Sequence, residues 1–321
     1  MGKHLYIIGN GFDLHHKIKS SYGDFRDWLK SSHQSVMWDL DEIYGSCGVE
    51  WWGDFENNLA DLDVFQYASA IADENTPDLM SDHCDRTWGD AQAEVEYNLG
   101  GLYSDLRKFL REWVRQLNKP SEECQIRLEI QNSRFINFNY TYTLEDMYKV
   151  PDNQILHIHG CISDGTPLVI GHGKDPEDLR AMNEVDDPPR PSSDIPESYE
   201  EWTCEMEQRH PLHEQMAEDA AIDAVASQRK PVGDIMQNNI EFFNALNDVT
   251  NIHVYGFSFS DVDMPYLDKI TEIAKGAKWE ISDYQDKCKT KIEAFVTRNQ
   301  IDHYEIIDLK SLYIFNQTQR Q

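Results

Sequence analysis

Four short stretches of this sequence carry residue types that bind ligands or transfer protons. The first is Gly9-Asn10-Gly11, which directly follows an apolar run at residues 5–8. Glycines at a strand-to-helix turn let the backbone approach a ligand, and the first amides of the following helix attract an anion. A tight turn without a ligand explains the same residues, and Leu14 stands where the dinucleotide fingerprint has its third glycine. The residues alone therefore leave a phosphate site and a plain turn both open.

The second stretch is "RFINFNYTYTLEDMY", in which an apolar run ends near Asn139 and Thr141. Open α/β sheets bind ligands at the carboxyl ends of their strands, so Asn139 is a candidate ligand contact. The alternative is that Asn139 or Thr141 caps the next helix, with Glu145 nearby.

The third stretch is "ILHIHGCISDGTPLVIGHG", where His157 and His159 lie two residues apart. On a strand this spacing places both rings on one face, where they could bind zinc or iron. No third ligand is evident, so a single catalytic histidine, His159 before Gly160, is the stronger hypothesis, because a histidine titrates near neutral pH.

The fourth stretch, "IHVYGFSFSDVDMPYL", repeats the arrangement of the first. An apolar run precedes Gly256 and Ser258, and Asp261 and Asp263 then enter a predicted helix. Asp263 could accept a hydrogen bond from a ribose hydroxyl, or it could stabilise the helix N-terminus. The shared position of all four stretches, each just after a strand, is a stronger indication of a site than any one of them.

The elements that would position these stretches alternate between apolar strands and helices. Strands are predicted at residues 5–9, 134–138, 155–158, 168–170, 252–255, 279–282 and 304–307. Helices are predicted at residues 12–31, 88–118, 141–150, 233–248, 261–276 and 284–299. This alternation predicts an α/β fold with a mainly parallel sheet flanked by helices.

Two segments interrupt the alternation. We predict one discontinuous core domain at residues 1–36, 130–173 and 232–321, with a helical insertion at 37–129 and an acidic loop and helical insertion at 174–231. The acidic part, residues 175–223, has a Pro- and Ser-rich centre and is predicted to be a surface excursion or a lid over the site.

Composition excludes several classes of protein. The net charge of −29 argues against a nucleic-acid-binding surface but not against a small nucleotide. Six scattered cysteines without a C-x-x-C pair indicate reduced thiols, and neither a signal peptide nor a membrane span is recognisable. We therefore expect a soluble cytoplasmic protein that does not bind membranes.

Six motifs, in this order, resemble those of the phage abortive-infection AbiH family of bacteria: "YIIGNGFDLHH", "WGDFENNL", "NFNYTYTLEDMY", "HIHG", "GHG" and "YGFSFSDVDMPYL". The resemblance covers nearly the whole chain. That family is similar in turn to the sirtuin-like, Rossmann-like domains of anti-phage systems, which bind a dinucleotide.

The resemblance implies a role for each matching position. It implies that Asn139 and His159 are catalytic, and it implies a nucleotide contact at each of the following: Gly9, Asn10, Gly11, Phe12, Asp13, Thr141, Gly256, Ser258 and Asp263. Three departures affect these roles. Asn10 replaces a small residue of the glycine loop, Thr141 stands where many relatives have aspartate, and the zinc-binding cysteines of sirtuin deacetylases are absent.

The activity that this resemblance implies is hydrolysis of the nicotinamide–ribose bond of NAD, or of a related nucleotide, with NAD as substrate and no metal. A non-catalytic nucleotide sensor and a metal-dependent hydrolase that uses His157 and His159 are the alternatives. A defence protein of this kind must stay silent before infection, so we expect homo-oligomerisation and a phage-derived trigger or partner protein.

Overall fold

A computed structural model describes residues 3–77, 87–162, 167–182, 189–191, 196–209 and 211–314. Within these ranges the chain forms two compact units. The first comprises residues 1–28, 109–170 and 230–321, and the second comprises residues 29–108 and 171–229.

The first unit is built on a six-stranded sheet with the strand order β3-β2-β1-β4-β5-β6, in which every pair of neighbours is parallel. Its strands are β1 (Lys3–Ile8), β2 (Ser133–Asn137), β3 (Ile155–His157), β4 (Val249–Tyr255), β5 (Lys278–Ser282) and β6 (Tyr304–Ile307). The predicted α/β, Rossmann-like fold with a parallel sheet and flanking helices is therefore confirmed.

Alternate residues of each strand pack on opposite faces of the sheet. Leu5 and Ile7 of β1 join one core cluster with Ile252 and Val254 of β4, whereas Tyr6 and Ile8 join a second cluster. Both faces are thus apolar and covered, which is why most strands read as continuous apolar runs.

Helices flank the sheet of the first unit, and helices also form the core of the second unit. In chain order they are α1 (Asn10–His15), α2 (Tyr22–Ser32), α3 (Gln34–Tyr44), α4 (Val49–Gly53), α5 (Phe55–Asn58), α6 (Val64–Glu74), α7 (Asp90–Val114), α8 (Thr143–Asp146), α9 (Pro176–Met182), α10 (Pro196–Arg209), α11 (Leu212–Ala226), α12 (Val232–Asn238), α13 (Ile240–Asn244), α14 (Met264–Ile273) and α15 (Lys289–Arg298). In the second unit α11 packs against α6 and α9. No helix among the described residues is both long enough and apolar enough to cross a membrane.

Three predicted elements are wrong: those at residues 168–170, at 12–31, and at 233–248, the last of which is two helices, α12 and α13. Residues 168–170 form no strand with the described residues: they have no regular secondary structure, and Val169 N–H donates to the His159 carbonyl at 2.9 Å. The predicted helix at residues 12–31 is two helices, because Lys17 adopts a left-handed conformation with φ 62° and ends the first.

The acidic segment at residues 175–223 is mostly helical where the structure describes it. Its described parts form α9, α10 and most of α11, while much of its Pro- and Ser-rich centre lies outside the described residues. Its function as a lid, like the predicted division into domains, stays a prediction.

Candidate functional site

The carboxyl ends of β1 and β4 meet where the strand order reverses. From β1 the chain adds β2 and β3 on one side, and it later returns to add β4 on the other side. Such a switch point is where open α/β sheets form a crevice that binds ligands. Gly9, Asn139, His159 and Gly256, one from each chemical stretch, all follow strands at their carboxyl ends, as the sequence predicts.

The glycine turn after β1 packs directly on the turn after β4. Gly11 N–H donates to the Gly256 carbonyl at 2.7 Å, and Gly9 N–H donates to the Tyr255 carbonyl at 3.0 Å. A β-carbon on Gly9 would lie 2.7 Å from the Gly256 oxygen, and one on Gly256 would lie 2.0 Å from the backbone nitrogen of Phe12. The close contact between the two turns therefore requires these glycines, and part of their backbone hydrogen bonding is already internal. Binding of a pyrophosphate by this turn stays a prediction.

Asn10 is exposed at the start of α1 and contacts the segment before α2. Its Nδ2 donates to the Ser20 carbonyl at 3.0 Å, and Ser20 Oγ donates to Asn10 Oδ1 at 2.6 Å. This pair links the glycine turn to the chain that follows α1.

A buried polar network lies behind the glycine turn. Thr141 and Thr143 donate through their hydroxyls to the two carboxyl oxygens of Asp13, at 2.6 and 2.7 Å. Asn139 Nδ2 donates to the Gly9 carbonyl at 3.1 Å. Burial raises the pKa of Asp13 to about 6, although the hydroxyl groups oppose the shift. Thr141 thus binds an aspartate from α1.

We expect Asp13→Asn to be at least as stable as the wild type at pH 8. Because the folded pKa of about 6 exceeds the unfolded value of 3.8, ionised Asp13 costs up to roughly 3 kcal/mol above pH 6. That cost disappears as the pH falls through 6 towards 4, so wild-type stability should rise over this range relative to the variant. Urea denaturation at several pH values measures the difference. Asp302→Asn, on an exposed carboxylate, is the control, and a loss of more than about 1 kcal/mol in Asp13→Asn at pH 8 would contradict the expectation.

His159 lies in a buried cluster with Asp263 and Lys230. Its Nε2 is 3.2 Å from Asp263 Oδ1, and Lys230 Nζ is 3.2 Å from the same oxygen. Burial alone would raise the pKa of Asp263, but the Lys230 ammonium and the His159 ring outweigh it and hold that pKa below its ordinary value. Asp263 is therefore a carboxylate at neutral pH, flanked by two nitrogen groups.

Among the described residues, two buried polar atoms around this cluster have no hydrogen-bond partner. They are His159 Nε2, although it lies 3.2 Å from Asp263 Oδ1, and Tyr266 Oη, on a fully buried side chain. Aromatic rings enclose the imidazole, with Phe138 edge-on at 5.2 Å. Buried polar atoms usually have a partner, so these two are positions where a water molecule or a ligand group could bind.

His157 has a different carboxylate partner. Its Nε2 lies 2.6 Å from Glu145 Oε1, and its Nδ1 lies 3.5 Å from Asn137 Nδ2. The two histidines of H-x-H thus lie next to different carboxylates, Glu145 and Asp263. Within the described ranges there is no group of three or more His, Cys, Asp or Glu side chains that could hold a metal ion.

Ser258 is exposed and contacts Cys288 rather than His157 or His159. Its carbonyl accepts a weak hydrogen bond from Cys288 Sγ at 3.9 Å. Phe259, the next residue, is buried and has φ 53°, in the left-handed region, so the chain turns sharply between Gly256 and Asp263.

The structure brings two groups of the predicted residues together. His159 lies next to Asp263, and Asn139, Thr141 and Asp13 lie next to the glycine turn.

Sequence reasoning missed Lys230 and Tyr266. Lys230 precedes a proline in a polar segment, and nothing in its neighbourhood indicates that its side chain is fully buried. Tyr266 lies within the fourth stretch, and its position three residues after Asp263 on a helical pattern was the available signal.

Two of the six motifs quoted above make contacts inside the second unit. In "WGDFENNL" the rings of Trp52 and Phe55 stack at 4.7 Å. In "GHG" the buried His172 donates from Nε2 to the Val225 carbonyl at 2.9 Å and accepts the Lys174 N–H at Nδ1. Burial lowers the pKa of His172, which keeps this ring neutral.

Comparison with known proteins identifies one family. The family model described as bacteriophage abortive infection AbiH matches residues 5–283, which include all four chemical stretches. No curated protein and no solved structure matches the chain.

Proposed function

Because this chain belongs to the bacteriophage abortive infection AbiH family, its role lies in abortive infection, and we propose that it acts there by cleaving NAD or a related nucleotide. The bond cleaved is that between nicotinamide and ribose. The observation that carries the proposal is the buried pair of His159 and Asp263, beside Asn139 and the glycine turn, at the switch point of a parallel sheet. The similarity to sirtuin-like NAD-binding domains is part of this proposal.

The chain's own groups match the needs of such a reaction. As the bond from C1′ of the ribose to nicotinamide breaks, both bonding electrons leave with nicotinamide and positive charge develops on the ribose. The Asp263 carboxylate stabilises this charge, and Asn139 orients water or a ribose hydroxyl. His159 accepts the proton from the water whose oxygen forms the new bond to C1′. The glycine turn, with Asn10, Phe12 and Asp13, Thr141, Gly256 and Ser258 around it, holds the rest of the nucleotide.

Burial of His159 supports a low basal activity. The residue is only 3% exposed, so substrate reaches the imidazole after the turn that follows β3 or β4 has moved. A phage-derived trigger or assembly into homo-oligomers would supply that movement, with the acidic segment at residues 175–223 as the regulatory element. NAD is then a substrate, and no metal takes part.

His159→Ala is expected to abolish NAD loss during infection. Removal of a general base lowers the rate about 100-fold or more. NAD is measured in phage-infected cells that express the chain, and nicotinamide release is measured with purified protein. His303→Ala, which removes an exposed histidine before β6, is the matched control and should behave like the wild type. Unchanged NAD in infected wild-type cells would refute the proposal.

A nucleotide sensor without catalysis is the second candidate function. It is favoured because the polar groups of the site are largely paired within the protein, including Asp13 with two threonines and Asp263 with Lys230. A sensor would bind NAD or ADP-ribose, with a rise in melting temperature, and leave the nucleotide intact on mass spectrometry.

A further inference from the structure

The loops that follow β5 and β6 form an exposed basic and aromatic cluster, which we call the Tyr284 cluster. It consists of Tyr284, Lys287 and Lys310. The Lys287 Nζ lies 5.6 Å from the centre of the Tyr284 ring, and the Lys310 Nζ lies 5.5 Å from it. Both loops are at the carboxyl edge of the sheet, and Tyr284 itself is 53% exposed.

More positive charge lies next to the cluster. Lys289 and Lys291, in the first turn of α15, are exposed as are Lys287 and Lys310. Over the described part of the chain, none of these four lysines forms an ion pair with a carboxylate. The four lysines outnumber by one the three aspartates of the same two loops, Asp283, Asp286 and Asp308, whereas the whole chain has a charge of −29.

Two nearby carboxylates accept hydrogen bonds from the backbone and keep their negative charge. Asp283 Oδ1 accepts the Cys288 N–H at 3.0 Å, and Asp308 Oδ1 accepts the Lys310 N–H at 2.9 Å. These bonds shape the two loops that present the lysines. Asp286, the exposed acid of the same turn, makes no ion pair with the lysines among the described residues.

We propose that the Tyr284 cluster binds single-stranded nucleic acid. An exposed aromatic ring with adjacent ammonium groups is the combination that holds such strands, because bases stack on the ring and phosphates bind the cations. The ring and the ammonium groups are open to solvent, whereas small ligands bind in concave pockets that bury most of their surface. The repeated phosphates of a strand match several separate lysines better than one small anion does.

This inference revises the expectation that the chain binds no nucleic acid. The charge of −29 is spread over the whole chain, and screening limits its reach to about 8 Å at physiological salt. The local cluster therefore governs contact with a strand, while the total charge keeps the affinity modest. Contact with about three phosphates gives a salt dependence of log K on log[salt] with a slope of about −2. The inference stands whether or not the chain cleaves NAD.

Fluorescence anisotropy with a labelled oligothymidylate of about 12 nucleotides, at about 50 mM salt, tests the proposal. We expect saturable binding by the full chain, which Tyr284→Ala weakens about fivefold or more while Tyr284→Phe retains it. The double variant Lys287→Glu/Lys310→Glu should weaken binding at least about tenfold and flatten the salt slope.

The matched control is Lys275→Glu/Lys278→Glu. It makes the same charge change on exposed lysines at the amino end of β5, away from the aromatic ring. The control should bind like the wild type, and circular dichroism should report the same fold for every variant. An equal loss in the control, no binding by the wild type, or displacement of the oligonucleotide by an equimolar amount of ATP would each overturn the proposal. Displacement by ATP would identify a small-nucleotide site.

Discussion

Gly256→Ala is expected to lower the free energy of unfolding by about 2 to 5 kcal/mol. The residue has φ 66°, in the left-handed region, where a side chain costs roughly 1–2 kcal/mol. Its new β-carbon would also lie 2.0 Å from the Phe12 nitrogen and 2.4 Å from the Gly11 carbonyl carbon. Both are backbone atoms, which cannot turn aside as a flexible side chain can, so overpacking adds about 1–3 kcal/mol or more. Urea denaturation followed by circular dichroism measures the loss.

Gly233→Ala is the matched control, because it makes the same substitution elsewhere in the first unit. No atom lies within 4 Å of a β-carbon at Gly233, and alanine in a helix is favoured over glycine by up to about 1 kcal/mol. That variant should be as stable as the wild type or slightly more stable. Wild-type stability of Gly256→Ala, within about 1 kcal/mol, would show that the two turns do not need their close contact.

This prediction changes how the glycine turn is interpreted. From sequence, Gly9 and Gly11 are explained equally well by a ligand or by a tight turn. The structure adds a third cause, a backbone contact with Gly256 from the far end of the chain, which no local pattern contains. Gly11→Ala is therefore expected to lose stability, because its β-carbon would lie 2.8 Å from the Gly256 α-carbon. A variant that folds normally and loses only binding would instead assign Gly11 to a ligand.

The sequence predicted the features that depend on local patterns, but not the contacts between residues that are distant in the chain. The runs before Gly9 and Gly256 are strands because buried parallel strands are apolar on both faces, and the order of strands and helices was enough to predict the fold. Residues 168–170 are equally apolar but pair with no strand, and only tertiary context distinguishes the two cases. The partners of the two histidines, Glu145 and Asp263, come from other connections of the sheet, so spacing around H-x-H could not identify them.

Lys230→Met is expected to lower the free energy of unfolding by about 3–5 kcal/mol at neutral pH, because it leaves the Asp263 carboxylate buried without its ammonium partner. The Lys230 side chain is fully buried and the Asp263 side chain is 10% exposed. Loss of the Lys230 ammonium removes one of the charges that lower the pKa of Asp263, so this carboxyl protonates at a higher pH in the variant than in the wild type, and the deficit should narrow as the pH falls. Lys269→Met breaks an exposed pair with Glu272 and should cost less than about 1 kcal/mol. An equal, small effect of both substitutions would contradict a buried ion pair.

The double variant Lys230→Met/Asp263→Asn separates the structural role of this pair from its role in catalysis. With both charges removed, most of the lost stability should return, since neutral groups of similar size replace a buried ion pair at little cost. A coupling free energy of roughly 1–3 kcal/mol in the double-mutant cycle measures the interaction. His159 would then lie beside a neutral amide, with no carboxylate to stabilise positive charge on the ring or on the ribose. We therefore expect the double variant to fold like the wild type and to release no nicotinamide; full activity would exclude Asp263 from the reaction and leave the ion pair as a purely structural element.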